Sequence, residues 1–414
     1  MIQDIRNNID HPEMLEQLYR KDKSTFIKSF DALFPSLTDH PVANAWQQRL
    51  HFKQPEISWG SKNEIYIVLA LSFLAGLIAK LGFFLGIKPD LYFPRNISFV
   101  AFPAIAIYFA WKTGLSRVTS GILALVFISA AIYINLLPDE QGRDTVTLAF
   151  IHLPLLLWAL TGFIFSGGKY ENLTGRIDFL RYNGDLVVLS TVIFISGMLL
   201  SAITIGLFQL INISIEDFYF EKIAIWGGAA IPMIATFLVR SNPQLVKNVS
   251  PIIAKVFTPL VLVMLVIYLT AMIYTGKDPY NDREFLLIFN VLLLGVMALI
   301  LFSVVESSRG TTAQFNTWML FLLSVVSIII NGIALSAIIF RISEWGITPN
   351  RLAVLGGNIL ILTHLVLVTH QLFNALKDSR KIADVELKIA GFLPIYTAWT
   401  VIVVFFFPIL FGFN

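Results

Sequence analysis

Arg341 and Arg351 bracket the stretch RISEWGITPNR, which lies between two long apolar runs and crowds two arginines, a glutamate, a tryptophan and a threonine into one junction. Guanidinium forks held close together can grip a phosphate or a carboxylate bidentately, because their planar N–H donors match paired anionic oxygens. The same residues also have a structural use. Gly346 permits a positive φ, Pro349 opens a helix with a fixed φ, and Thr348 is placed to cap that helix. Trp345 suits the headgroup level of a bilayer, and Glu344 is the carboxylate nearest to both arginines. Two readings therefore stand side by side: a site for an anion or lipid headgroup, and a turn closed by arginine–glutamate pairing.

A second set of polar residues falls inside the apolar runs: Lys80, His152, Asn290, Asn331, Asn358, His364, His370 and Gln371. Intramembrane polar and ionisable groups are costly and mark function or helix–helix hydrogen bonds. Lys80 lies near a run's end and is expected to snorkel toward water. His364 and His370 are separated by more than one helical turn and point about 120° apart. They do not form the one-face pair of a zinc helix. No Asp or Glu lies in the middle of an apolar run, and Glu306 comes closest, which disfavours a strongly coupled pump. The chain has no HExxH, GxSxG or GxxxxGK[ST] motif and no aspartate-rich loop. No catalytic residue, metal ligand or cofactor is indicated. The candidate ligand-binding residues are Arg341, Glu344, Trp345, Thr348 and Arg351 at the junction, with Asn331, Asn358 and His364 in the runs beside it.

These residues need a bundle to position them. Of 414 residues 56% are hydrophobic and 14% charged, and the mean hydropathy is +0.75. That balance excludes an ordinary water-soluble domain and defines an integral membrane protein. A formal charge of +3 makes no polyanion surface, so nucleic acid is excluded as a partner. The absence of cysteine rules out disulfides, thiolate metal sites and Cys nucleophiles.

About eleven apolar runs, near 65–87, 97–111, 118–137, 146–165, 186–211, 221–239, 256–275, 285–305, 317–340, 351–376 and 390–413, are long enough or nearly long enough to span a bilayer as helix. The second run is short. The expected fold is all-α, a polytopic transmembrane bundle over residues 63–414 preceded by a small cytoplasmic helical segment over 1–62. That segment carries eight basic and eight acidic residues. Asp10 is its expected first N-cap, with Pro12 in the first turn and Glu13 completing a capping box. Phe26, Phe30, Leu33 and Phe34 share one helical face, and Val42, Trp46 and Leu50 form another stripe. A segment this short buries little core alone, so it is expected to pack on the membrane domain or to dock a cytoplasmic partner.

Lys and Arg collect in alternate loops, at Lys112 and Arg117, at Lys169, Arg176 and Arg181, at Arg240, Lys247 and Lys255, at Arg309, and at Lys377, Arg380, Lys381 and Lys388. This asymmetry places those loops and the N-terminus in the cytoplasm and the C-terminus on the other side.

The stretch RIDFLRYNGDLVVLSTVIFISGMLLSAITIGLF at 176–208, FTPLVLVMLVIYLTAMIY at 257–274 and RISEWGITPNR together resemble an uncharacterised family of bacterial multi-pass membrane proteins catalogued as a domain of unknown function. The resemblance covers roughly 145–375. That family's last motif reads Arg, three residues, Tyr-Gly, any residue, Thr, two residues, Arg; here Arg341, Gly346, Thr348 and Arg351 match and Trp345 replaces the tyrosine. The replacement keeps an interfacial aromatic and loses a phenol. The resemblance implies a bacterial inner membrane and a helical bundle, and no activity.

The expected function is a non-catalytic membrane scaffold or sensor that binds membrane lipid or a small ligand and a cytoplasmic partner. The alternatives are a facilitative or weakly coupled solute transporter and a membrane-embedded lipid-modifying enzyme. Oligomeric state is open.

Overall fold

The computed structural model describes residues 1–51, 60–138, 143–210, 214–245, 249–275, 280, 283–307, 314–378 and 381–413. Expectations resting on Lys247, Lys255, Glu306, Arg309 and Arg380 lie outside the described residues or side chains. The chain forms two compact units, Met1–Ser58 and Trp59–Asn414. Every regular element among the described residues is helical.

The first unit contains α1 (Ile2–Asn7), α2 (Pro12–Lys21), α3 (Lys23–Leu33) and α4 (Pro41–Leu50). Ile5, Leu15, Phe26, Phe30, Leu33 and Trp46 close its core. The expected capping by Asp10 is not observed. His11 takes the N-cap position of α2 without a side-chain bond, because the Asp10 carboxylate turns instead to His40 at 3.0 Å. Asp22 is the residue that caps, its carboxylate accepting from the Thr25 N–H at 3.1 Å.

The second unit is a bundle of long helices: α5 (Lys62–Phe84), α6 (Pro89–Lys112), α7 (Arg117–Leu136), α8 (Asp144–Phe165), α9 (Leu173–Leu210), α10 (Glu216–Ser241), α11 (Val249–Thr275), α12 (Arg283–Ser307), α13 (Gln314–Trp345), α14 (Pro349–Lys377) and α15 (Ile382–Leu410). Counting described residues alone, nine are long and apolar enough to cross a membrane, and α11 and α12 contribute shorter apolar stretches. The protein is a multi-pass membrane protein. The short second run becomes a full helix, because Pro94, Arg95 and Asn96 are helical and the latter two are buried.

Successive helices run in alternating directions. Lys112, the last residue of α6, reaches Glu64 in the first turn of α5, and Arg143, just before α8, donates to the Phe413 carbonyl after α15. We call the end at which α5 begins the proximal face and the opposite end the distal face. Two apolar cores result. Helices α5 to α8 and α10 surround the first, rich in Phe and Tyr; α11 to α15 surround the second, dominated by Leu, Ile and Val. Helix α9 ties them together, its first turns packing on α8, α12 and α15. From Thr191 to Leu200 all its residues but Ile193 are exposed, as suits a helix face turned to lipid.

Two prolines interrupt α15, and each missing N–H frees the carbonyl one turn earlier. Pro394 frees that of Ala390, which accepts from Arg176 Nη1 of α9 at 3.0 Å. Pro408 frees that of Val404, which accepts from the Tyr133 hydroxyl of α7 at 3.1 Å. Side chains from distant helices thus satisfy groups that hydrocarbon leaves unsatisfied.

Candidate functional site

The junction of α13 and α14 folds as its residue types require. Gly346 takes φ +76°, Pro349 stands at the start of α14, and Thr348 Oγ1 accepts from the Arg351 N–H at 3.3 Å. Arg351 Nη1 then donates to the carbonyls of Trp345 and Gly346, both at 2.7 Å. Those carbonyls end α13, so the guanidinium acts as its C-terminal cap and meets the negative end of the helix dipole. The Arg341 and Arg351 guanidinium carbons lie 5.1 Å and 5.8 Å from the centre of the Trp345 ring, within cation–π reach. Glu344 is exposed, and among the described contacts no ion pair joins it to either arginine. Ring stacking and backbone capping, rather than the glutamate, organise the two cations around one exposed indole.

The polar residues of the adjoining helices sit elsewhere. Asn331 lies about 20 Å along α13 from the turn at 1.5 Å per residue. It belongs to a buried stripe that includes Leu320, Ser324, Ser327 and Ala334, facing a stripe of α14 that includes Asn358, Ile361, Leu365 and Val368. Leu320 and Ala375, Ser327 and Val368, and Ala334 and Ile361 form pairs nearly equidistant from the turn, and so do Asn331 and His364. In two antiparallel packed helices that equality puts Asn331 and His364 at one depth, near the middle of both.

Asn331 and His364 are each 0% exposed and Asn358 is 3% exposed. Asn358 Nδ2 donates to Asn290 Oδ1 of α12 at 2.9 Å. His364 stacks on Phe392 of α15, ring centres 4.4 Å apart, and its Nδ1 meets the Tyr396 hydroxyl at 3.1 Å. Among the described residues its Nε2 has no hydrogen-bond partner, and neither does either side-chain polar atom of Asn331. Serines 324 and 327 bond to carbonyls of their own helix, as the amides of Asn96 and Asn135 do in α6 and α7; the amide of Asn331 does not. Leaving a buried polar group unpaired costs roughly 1–3 kcal/mol, and each such group calls for a reason. The structure thus divides the eight candidate residues into a distal turn and a sealed mid-depth set.

Three further clusters escape a reading based on apolar runs, because the helices extend past those runs and bury the polar residues at their ends. On the proximal face Glu64 is buried and accepts from Tyr108 at 2.7 Å and Lys112 at 2.6 Å. Arg181 of α9 pairs with buried Glu386 of α15 at 2.7 Å and with Asp178 at 3.0 Å. On the distal face Arg95 donates to the carbonyls of Asn135, Leu137 and Pro138 at 3.0–3.2 Å, closing the end of α7. Lys80 does not snorkel. It is buried and donates to the Glu221 carbonyl at 2.8 Å, inside the π-helical turn Phe220–Ala224 whose widened spacing displaces carbonyls from the α-helical ladder. The basic RIDFLRYNGD approach is the one visible signal of the Arg181 cluster. Among the described residues no group of three or more His, Asp or Glu is arranged to hold a metal ion.

Fold and site together define an α-helical multi-pass membrane protein with a sealed neutral polar centre and charge-paired helix ends. Compared with protein-family models, curated proteins and solved structures, the chain matches none.

Proposed function

We propose that the protein is a non-catalytic scaffold or sensor of a bacterial inner membrane that holds a small ligand at mid-depth in α13 to α15 and docks a cytoplasmic partner through residues 1–62. The observation that carries the ligand reading is the unpartnered amide of Asn331 and the unpartnered Nε2 of His364, on facing helices and fully buried at one depth. The amide offers donors and an acceptor, and the imidazole nitrogen serves as either, so the complementary ligand is uncharged and does both. Closure of Asn331, Asn358 and His364 to solvent speaks for retention over passage, since a conduit needs water to reach them. The self-contained core of the first unit suits a docking module.

A cryo-EM structure of protein purified from native membranes, paired with Asn331→Leu, tests this. The reading expects non-protein density bonded to Asn331 and His364, lost in Asn331→Leu together with the stabilisation the ligand confers. Bare surroundings and a variant that melts above wild type would reduce the amide to a burial cost and end the ligand reading. A cysteine at 331 that reacts with a membrane-impermeant thiol reagent would favour the transporter instead.

The basic loops gather at the proximal face, which supports a cytoplasmic proximal face and a periplasmic C-terminus. The chain lacks cysteine, so single cysteines at the exposed positions Thr113 and Lys381 on one face and Ser214 and Ile347 on the other give a clean comparison. Only 214 and 347 are expected to label from outside in intact cells; labelling at 113 or 381 inverts the orientation.

A further inference from the structure

A groove of about 400 Å³ opens between the end of α8, the start of α9 and the middle of α15. Its wall is apolar, formed chiefly by Trp158, Phe163, Leu393 and Pro394. Its mouth on the proximal face is of opposite character. Gly167 and Gly168, at φ +76° and +70°, reverse the chain tightly after α8 and bring Lys169 and Tyr170 over the wall. Arg176 fixes this lip: one side of its fork holds the Ala390 carbonyl freed by Pro394, the other the Tyr170 carbonyl. Its guanidinium also lies 5.1 Å from the centre of the Tyr170 ring. Lys169 is exposed and enters no ion pair among the described contacts. An apolar trough of this size falls in the range of small-ligand sites, and a basic lip at headgroup depth is the arrangement that recognises anionic lipid headgroups.

We infer that this groove binds an anionic phospholipid of the proximal leaflet, with an acyl chain along Trp158, Phe163 and Leu393 and the phosphate at Lys169. Arg176 acts as a positioning residue, joining the lip to the break in α15 and lending its charge to the mouth. The site shares no residue with Asn331 and His364 and rests on different observations, so either inference can fail while the other stands.

The test is thermal unfolding and native mass spectrometry of the full-length protein in detergent, titrated with phosphatidylglycerol, phosphatidylcholine or inorganic phosphate. Phosphatidylglycerol is expected to raise the melting temperature and remain bound, with phosphatidylcholine at least tenfold weaker and phosphate alone without effect. Lys169→Glu, at an exposed position that leaves the fold intact, should abolish the preference between the two lipids. Ala159→Phe, which fills the groove from its wall, should weaken both. Equal binding of the two lipids by wild type, stabilisation by phosphate alone, or wild-type lipid preference in both variants would each overturn the proposal.

Discussion

The two halves of the bundle solve the problem of polar groups in hydrocarbon in different ways. In the half built on α5 to α8 and α10, charged side chains lie near helix ends and find partners on another helix: Glu64 with Tyr108 and Lys112, Lys80 with the Glu221 carbonyl, Arg95 with the end of α7. The core between them is packed with aromatic rings, such as Phe109 edge-on to Tyr182 with centres 5.1 Å apart. In the half built on α11 to α15 the core is aliphatic; Glu386 near the start of α15 is paired with Arg181, but at mid-depth Asn331 and one nitrogen of His364 are left unpaired among the described residues. Charge in the first half acts as a set of clamps. The unmatched amide of Asn331 in the second half forms no hydrogen bond among the described residues and is left with its full burial cost.

The largest expected effect breaks a clamp. Arg95→Met leaves three or more carbonyls at the end of α7 without a donor, and hydrogen bonds to a charged group contribute about 1.5–3 kcal/mol each before water at the face recovers part of the loss. We expect a net destabilisation of about 3 kcal/mol in detergent unfolding. A variant that melts like wild type would erase the distinction between the halves.

His364→Phe sharpens the comparison from the other side. The new ring keeps the stack on Phe392, removes the unpaired Nε2 and forfeits the contact with Tyr396, and near-isosteric exchanges in a core usually cost less than about 1.5 kcal/mol. A loss as large as that of Arg95→Met would make the polar centre a structural support. The smallest effect is expected at the distal turn. Arg351→Lys replaces a rigid fork that serves two carbonyls with a point donor, for a cost of about 1 kcal/mol. Glu344→Gln should leave stability unchanged, since no ion pair joins it to the arginines among the described contacts; an early melt would restore the glutamate as their partner.

Apolar runs make the helices legible, and they make Asn331, Asn358 and His364 conspicuous as polar residues inside them. They cannot reveal which polar residues are matched, because partners such as Asn290 for Asn358 or Tyr396 for His364 come from other helices. The ends of the helices are obscured for a related reason. Glu64, Arg95 and Glu386 look like loop residues until their partners are known, and only pairing allows them to be buried. Lys80 reads as a snorkelling residue, since nothing in its own helix announces a π turn far along the chain. The distal turn is readable in its glycine, proline and threonine, whose roles are local; Arg351's choice of backbone carbonyls over Glu344 depends on where the chain reverses.

The two proline breaks in α15 also constrain how the molecule is made. This helix leaves the ribosome after α5 to α14, and it carries two carbonyls that its own ladder does not satisfy. Their donors, Tyr133 and Arg176, have by then been in the membrane for the whole synthesis of α11 to α14. The donors that both carbonyls find lie on helices made before α15, so the docking of this helix depends on the placement of α7 and α9.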